Sequence, residues 1–101
     1  MLIKFNDDTK ADKVYTFYSD PGHAWLEVPF SDLIYLNIEA DITAYSYMRG
    51  EFAYLEENLD FTTFCNAMGK AGRSFRIKES NTNADSIIRQ YDRYGAKAAR
   101  V

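Results

Sequence analysis

Residues Tyr45-Ser46-Tyr47-Met48-Arg49-Gly50-Glu51-Phe52-Ala53-Tyr54-Leu55-Glu56-Glu57 constrain the fold more than any other stretch of this chain. Tyrosine and phenylalanine favour the pleated, half-buried surface of a strand. Gly50 supplies the positive φ that a tight hairpin needs. The stretch therefore predicts two short aromatic strands around an Arg-Gly turn. That hairpin specifies a shape and no chemistry. Tyr45 and Tyr47 are expected on one face of its first strand, with Phe52 and Tyr54 together on its second.

The flanking sequence builds a small α+β domain around the hairpin. Leu2 to Phe5 and Val14 to Tyr18 read as strands, with Asn6 to Lys13 as the turn of a first hairpin. Asp20-Pro21-Gly22 is a turn signal. From His23 to Val28 the residues alternate, with Ala24, Leu26 and Val28 on one face and His23, Trp25 and Glu27 on the other. Pro29 ends that strand. Ser31-Asp32 reads as the capped start of a short helix, stopped by Asn37 and the acidic Glu39-Ala40-Asp41. Asp60 is the expected N-cap of a longer helix whose Phe61, Phe64, Cys65 and Met68 follow the spacing of one helical face. Gly69 and Gly72 mark its end. Ser74 to Lys78 alternates as a strand, and Asp85 to Tyr91 favours a short helix capped by Asp85. The expected architecture is a mainly antiparallel sheet of about four to six strands, with one principal helix on one face and a short second helix. A single domain over residues 1–95 is expected, with 96–101 as a frayed tail.

Composition narrows the functional classes. The chain has 101 residues, nearly half of them hydrophobic, with eight tyrosines, seven phenylalanines and one tryptophan. A chain of this length and composition can bury one core and is not disordered over most of its length. No apolar run approaches the length of a membrane span. The amino-terminal residues lack the basic and apolar regions of a secretory signal. The single cysteine, Cys65, permits no internal disulfide, so a reducing cytoplasm is the expected location. Residues 1–60 carry twelve Asp or Glu against four Lys or Arg, a net of −8, and residues 61–101 carry three against eight, a net of +5. The overall net of −3 disfavours direct binding to nucleic acid.

Catalysis and metal binding find little support in the residues. His23, the only histidine, needs a carboxylate to orient it, and Asp20 is nearer along the chain than Glu27. Cys65 sits on an apolar stripe, where a thiol behaves as a small hydrophobe. One His and one Cys do not make a zinc site of ordinary spacing. Asp7, Asp8 and Asp12, or Glu56, Glu57 and Asp60, do not follow a calcium-loop pattern. No phosphate-cradling loop and no nucleophile elbow occurs. No catalytic residue, metal or cofactor is therefore expected. The aromatic set is either core or a binding surface. In the second case Trp25, Tyr45, Tyr47 and Tyr54 form the surface, and Glu51, Glu56, Glu57 and Asp60 its acidic rim.

Gly22-His23-Ala24-Trp25-Leu26-Glu27-Val28-Pro29, Tyr45-Ser46-Tyr47 and Tyr54-Leu55-Glu56-Glu57-Asn58-Leu59-Asp60 together resemble a group of small bacteriophage and mobile-element proteins. The resemblance spans roughly residues 22–94 and carries no established activity with it. It implies a binding protein that inhibits a host protein, such as a CRISPR or restriction system, by covering a cationic surface. An accessory structural or housekeeping domain, or a small enzyme using His23, is the alternative. A homodimer is compatible with either.

Overall fold

A computed structural model describes residues 2–3 and 13–95. Its elements run β1 (Leu2–Ile3), β2 (Lys13–Ser19), β3 (Ala24–Pro29), α1 (Phe30–Tyr35), β4 (Tyr47–Arg49), β5 (Phe52–Glu56), α2 (Asp60–Lys70), β6 (Phe75–Asn81) and β7 (Asp92–Arg93), with short 3-10 helices at Glu39–Asp41 and Ile87–Gln90. The strands form one sheet in the order β1-β6-β2-β3-β5-β4-β7. Every pairing is antiparallel except β2 with β6. The α+β class, the principal helix and the short second helix are as the sequence predicts. Two-residue ladders at both edges raise the strand count among the described residues to seven.

The first expected hairpin does not form. β6 lies between β1 and β2, pairing antiparallel with the former and parallel with the latter. Both segments are β-prone in isolation, and only the return of the chain through α2 selects their partner. Of the turn expected over Asn6 to Lys13, Lys13 instead begins β2; the rest of that turn and the tail at 96–101 lie outside the described residues.

The central hairpin forms as expected. Arg49 pairs with Phe52 across a two-residue connection in which Gly50 takes φ +61°. Its first strand begins only at Tyr47, however, so Tyr45 lies in a turn and not on the strand. Ser46 explains this. Its buried hydroxyl donates to Asp60 and accepts the Glu56 N–H, which ties the chain down one residue before the ladder begins.

Pleating divides the side chains between two unlike faces. One face carries Tyr15, Leu26, Val28, Ala53, Leu55, Phe75 and Ile77, covered by Leu33 of α1 and by Phe64 and Met68 of α2. Phe61 and Cys65 flank that stripe and are partly buried. α1 starts after Pro29 with no side-chain cap, so Ser31 does not cap it, and Asn37 at φ +60° ends it. Asp32 lies in its first turn and accepts from the Tyr15 hydroxyl at 2.6 Å. The other face carries Tyr18, Trp25, Tyr47 and Tyr54 and, among the described residues, has no α-helix over it. Ile88 and Tyr91 of the carboxy-terminal segment cover part of it. The cap of that segment is Ser86, whose hydroxyl accepts the Ile88 N–H, and not Asp85.

Candidate functional site

A cleft of about 400 Å³ opens on the aromatic face. Trp25 and Tyr47 form its floor, their rings 6.2 Å apart and nearly perpendicular. The turn Glu56-Glu57-Asn58-Leu59 makes one wall, Arg89 and Arg93 the other, and His23 and Tyr45 line the remainder. Tyr45 and Leu59 are exposed, at 68% and 49%. β3 is an interior strand of the sheet, so Trp25 is covered from both sides and by Ile88. Trp25 is therefore a buried floor, which is the core alternative of the sequence reading and not the surface one. Tyr54 is likewise buried, its hydroxyl donating to Glu27 at 2.9 Å, and burial with that carboxylate raises its pKa.

Of the four acids expected to form a rim, Glu56 and Glu57 line the cleft, and Glu51 and Asp60 do not. Glu51 sits in the hairpin turn, about 16 Å from Glu56 along an extended strand. Glu56 closes its own turn, its carboxylate accepting the N–H groups of Asn58 and Leu59 at 2.6–2.9 Å. Glu57 faces the His23 ring, Oε2 to Nδ1 3.6 Å. Asp60 is fully buried and is the first residue of α2 rather than its cap. Its carboxylate accepts from the Thr43 N–H, the Thr43 hydroxyl and the Ser46 hydroxyl, and so joins α2 to the approach to β4. An acid at a helix start reads locally as a cap or a surface charge; here the tertiary fold supplies it with three donors, from part-buried Thr43 and buried Ser46.

Asp20 does not orient the His23 ring. Its buried carboxylate takes the backbone N–H groups of Gly22, His23 and Ser86 and a two-pronged pair with Arg89, Nε at 2.6 Å and Nη2 at 2.9 Å. This clasp holds the carboxy-terminal segment against the sheet. The Arg89 guanidinium holds the Asp20 carboxyl well below the usual carboxylate range, burial opposes it, and the three N–H groups reinforce it. The folded pKa is depressed below an unfolded value near 4, so the stabilisation is complete above about pH 5 and is lost as pH falls through the unfolded value toward the folded one. Urea midpoints should therefore drop between about pH 5 and pH 2. In Asp20→Asn that drop should be shallower, as read by tryptophan fluorescence.

Cys65 lies on α2, on the helical face of the sheet, opposite the cleft that holds His23. Burial pushes its thiol up to about 11 from 9.0. Two pKa units leave about 100-fold less thiolate near neutral pH than an ordinary cysteine has. Labelling by a disulfide reagent at pH 8 should be slower than for a model thiol by about that factor, and should reach the model rate in denaturant. Among the described residues no three His, Cys, Asp or Glu side chains gather as a metal ion would require. No helix among them is long and apolar enough to cross a membrane.

Three arginines dominate the aromatic face, and sequence reasoning set only Arg49 beside the aromatics. Arg89 stacks on Trp25 at 5.4 Å, Arg93 on Tyr47 at 4.8 Å and Arg49 on Tyr91 at 5.1 Å. The signal available in the sequence was the basic balance after residue 60, whose placement only the sheet register reveals. Comparison with protein-family models, curated proteins and solved structures finds no match to this chain.

Proposed function

We propose that the protein is a non-catalytic binding module that engages a partner protein through the aromatic, arginine-bearing face of its sheet. On the resemblance of its sequence, the partner is a host protein, including one of a defence system, which the module inhibits by occlusion. One observation carries this reading. The face without an α-helix over it combines tyrosine, tryptophan and arginine around a cleft with an exposed Tyr45 and Leu59 at its mouth. Those residue types contribute disproportionately to binding energy at protein interfaces. A non-catalytic role is supported by the placement of Cys65 and His23 on opposite faces and by the engagement of Asp20 with Arg89. Only Glu56 and Glu57 of the four acids share the cleft, and Arg89 and Arg93 face them across it, so a purely cationic partner surface is set aside.

A photo-crosslinking residue placed at Tyr45, in host extract, should capture a discrete partner. The same residue at exposed Asn66 on α2 should not. Leu59→Asp should reduce the Tyr45 product about tenfold by placing a charge in an apolar contact. Equal capture from both positions, or none from Tyr45, would remove the face from consideration.

A further inference from the structure

We infer that Arg49 and Arg93 form a two-pronged receptor for an acidic, extended segment of the partner protein, an inference that rests on the binding role of this face. Arg93 pairs with Tyr47 in the β4–β7 ladder, and Arg49 lies two residues beyond Tyr47 on the same side. The two arginines are thus diagonal neighbours, with Cα atoms about 7–8 Å apart. Each guanidinium is exposed on one side and stacked on a tyrosine ring on the other. Stacking fixes the plane of the guanidinium and leaves its N–H edge toward solvent, the geometry that grips a carboxylate with two hydrogen bonds.

Arg89 serves as an internal reference. It stacks in the same way on Trp25, but its fork is filled by the Asp20 carboxylate. Arg49 and Arg93 have no carboxylate partner among the described residues, and Arg93 uses one N–H on the Ala44 carbonyl. Two prepared forks without acids call for two acids from outside. Alternate residues of an extended peptide point to the same side and are about 7 Å apart, which matches the spacing of the pair. The position suits such a segment, because β7 is the last strand of the sheet and β4–β7 is its edge. Single-stranded nucleic acid fits less well. Its bases need open ring faces to stack on, and this chain's own guanidiniums already cover Trp25, Tyr47 and Tyr91.

The test uses the whole protein and three probes: a short fluorescent peptide with glutamate at alternate positions, the same peptide with glutamine, and an oligo-deoxythymidine. The glutamate peptide should bind and shift the side-chain Nε–H resonances of Arg49 and Arg93 but not that of Arg89. The glutamine peptide should bind at least about tenfold more weakly, and so should the glutamate peptide to an Arg49→Gln, Arg93→Gln variant. Arg49→Lys, Arg93→Lys should fall between, because it keeps the charge and loses the fork. Binding should weaken as salt is raised. Equal binding of the two peptides, or none of either while Tyr45 still crosslinks its partner, would overturn this inference and leave the binding role standing. Tighter binding of the oligonucleotide would also overturn it, in favour of nucleic acid. Failure of both the peptide and the Tyr45 crosslink would remove the binding role as well.

Discussion

Phe64→Ala should destabilise the protein by about 3–5 kcal/mol, measured by chemical denaturation at neutral pH. Phe64 is fully buried, and its ring meets Tyr15 at 5.3 Å edge-on and Phe75 at 5.4 Å. Truncation removes the apolar contact of α2 with the sheet and leaves a cavity between rings that cannot collapse without moving both strands. A domain of this size commonly holds only about 5–15 kcal/mol in total, so the variant should unfold at much lower urea. Phe61→Ala, at the partly buried margin of the same stripe, should cost distinctly less. Equal losses at the two positions would contradict the packing described, as would a negligible loss at Phe64.

Asp60→Ala should also be strongly destabilising, costing about 3–5 kcal/mol. Its carboxylate is the acceptor for two hydroxyls and one backbone N–H, and all three would be left without it. A stranded buried donor costs about 1–3 kcal/mol, and relief of a buried charge offsets part of the sum. Asp60→Asn keeps the shape and one acceptor oxygen, so it should retain part of the lost stability. A surface acid would respond quite differently, since exposed charges are worth about 0–1 kcal/mol. The comparison of Asp60→Ala with Glu51→Ala, at the exposed hairpin turn, therefore separates the observed role from the interfacial one that the local sequence suggests. Loss of partner capture in Asp60→Ala would report unfolding and not a lost contact.

The amino-acid order by itself determined the elements whose physics is local. The Gly50 hairpin follows from one residue able to take positive φ between aromatic strands. The buried Phe64 and Met68 follow from helical spacing, and the buried Leu26 and Val28 from alternation. Even the end of α1 at Asn37 was legible, because few residues adopt φ +60° so readily. The candidate site was legible only in part. Tyr45, Tyr47, Trp25, Glu56 and Glu57 do line the cleft, but their burial and partners were not written in their spacing.

Only the tertiary structure decided the rest, because each remaining feature joins residues far apart in the chain. The insertion of β6 between β1 and β2 brings together residues 62 to 74 positions apart, and strand propensity carries no information about partner choice. The Asp20–Arg89 clasp closes over a separation of 69 residues. Asp60 became structural when Thr43 and Ser46 were brought to it, and Trp25 became a floor when β2 and β5 flanked it and Ile88 covered it. The stacking of Arg49, Arg89 and Arg93 on three rings depends on the same long-range register. Local chemistry selects helices, strands and turns. Pairing of distant segments sets which charges are buried and which guanidiniums face outward, and the candidate binding surface of this protein is made of those choices.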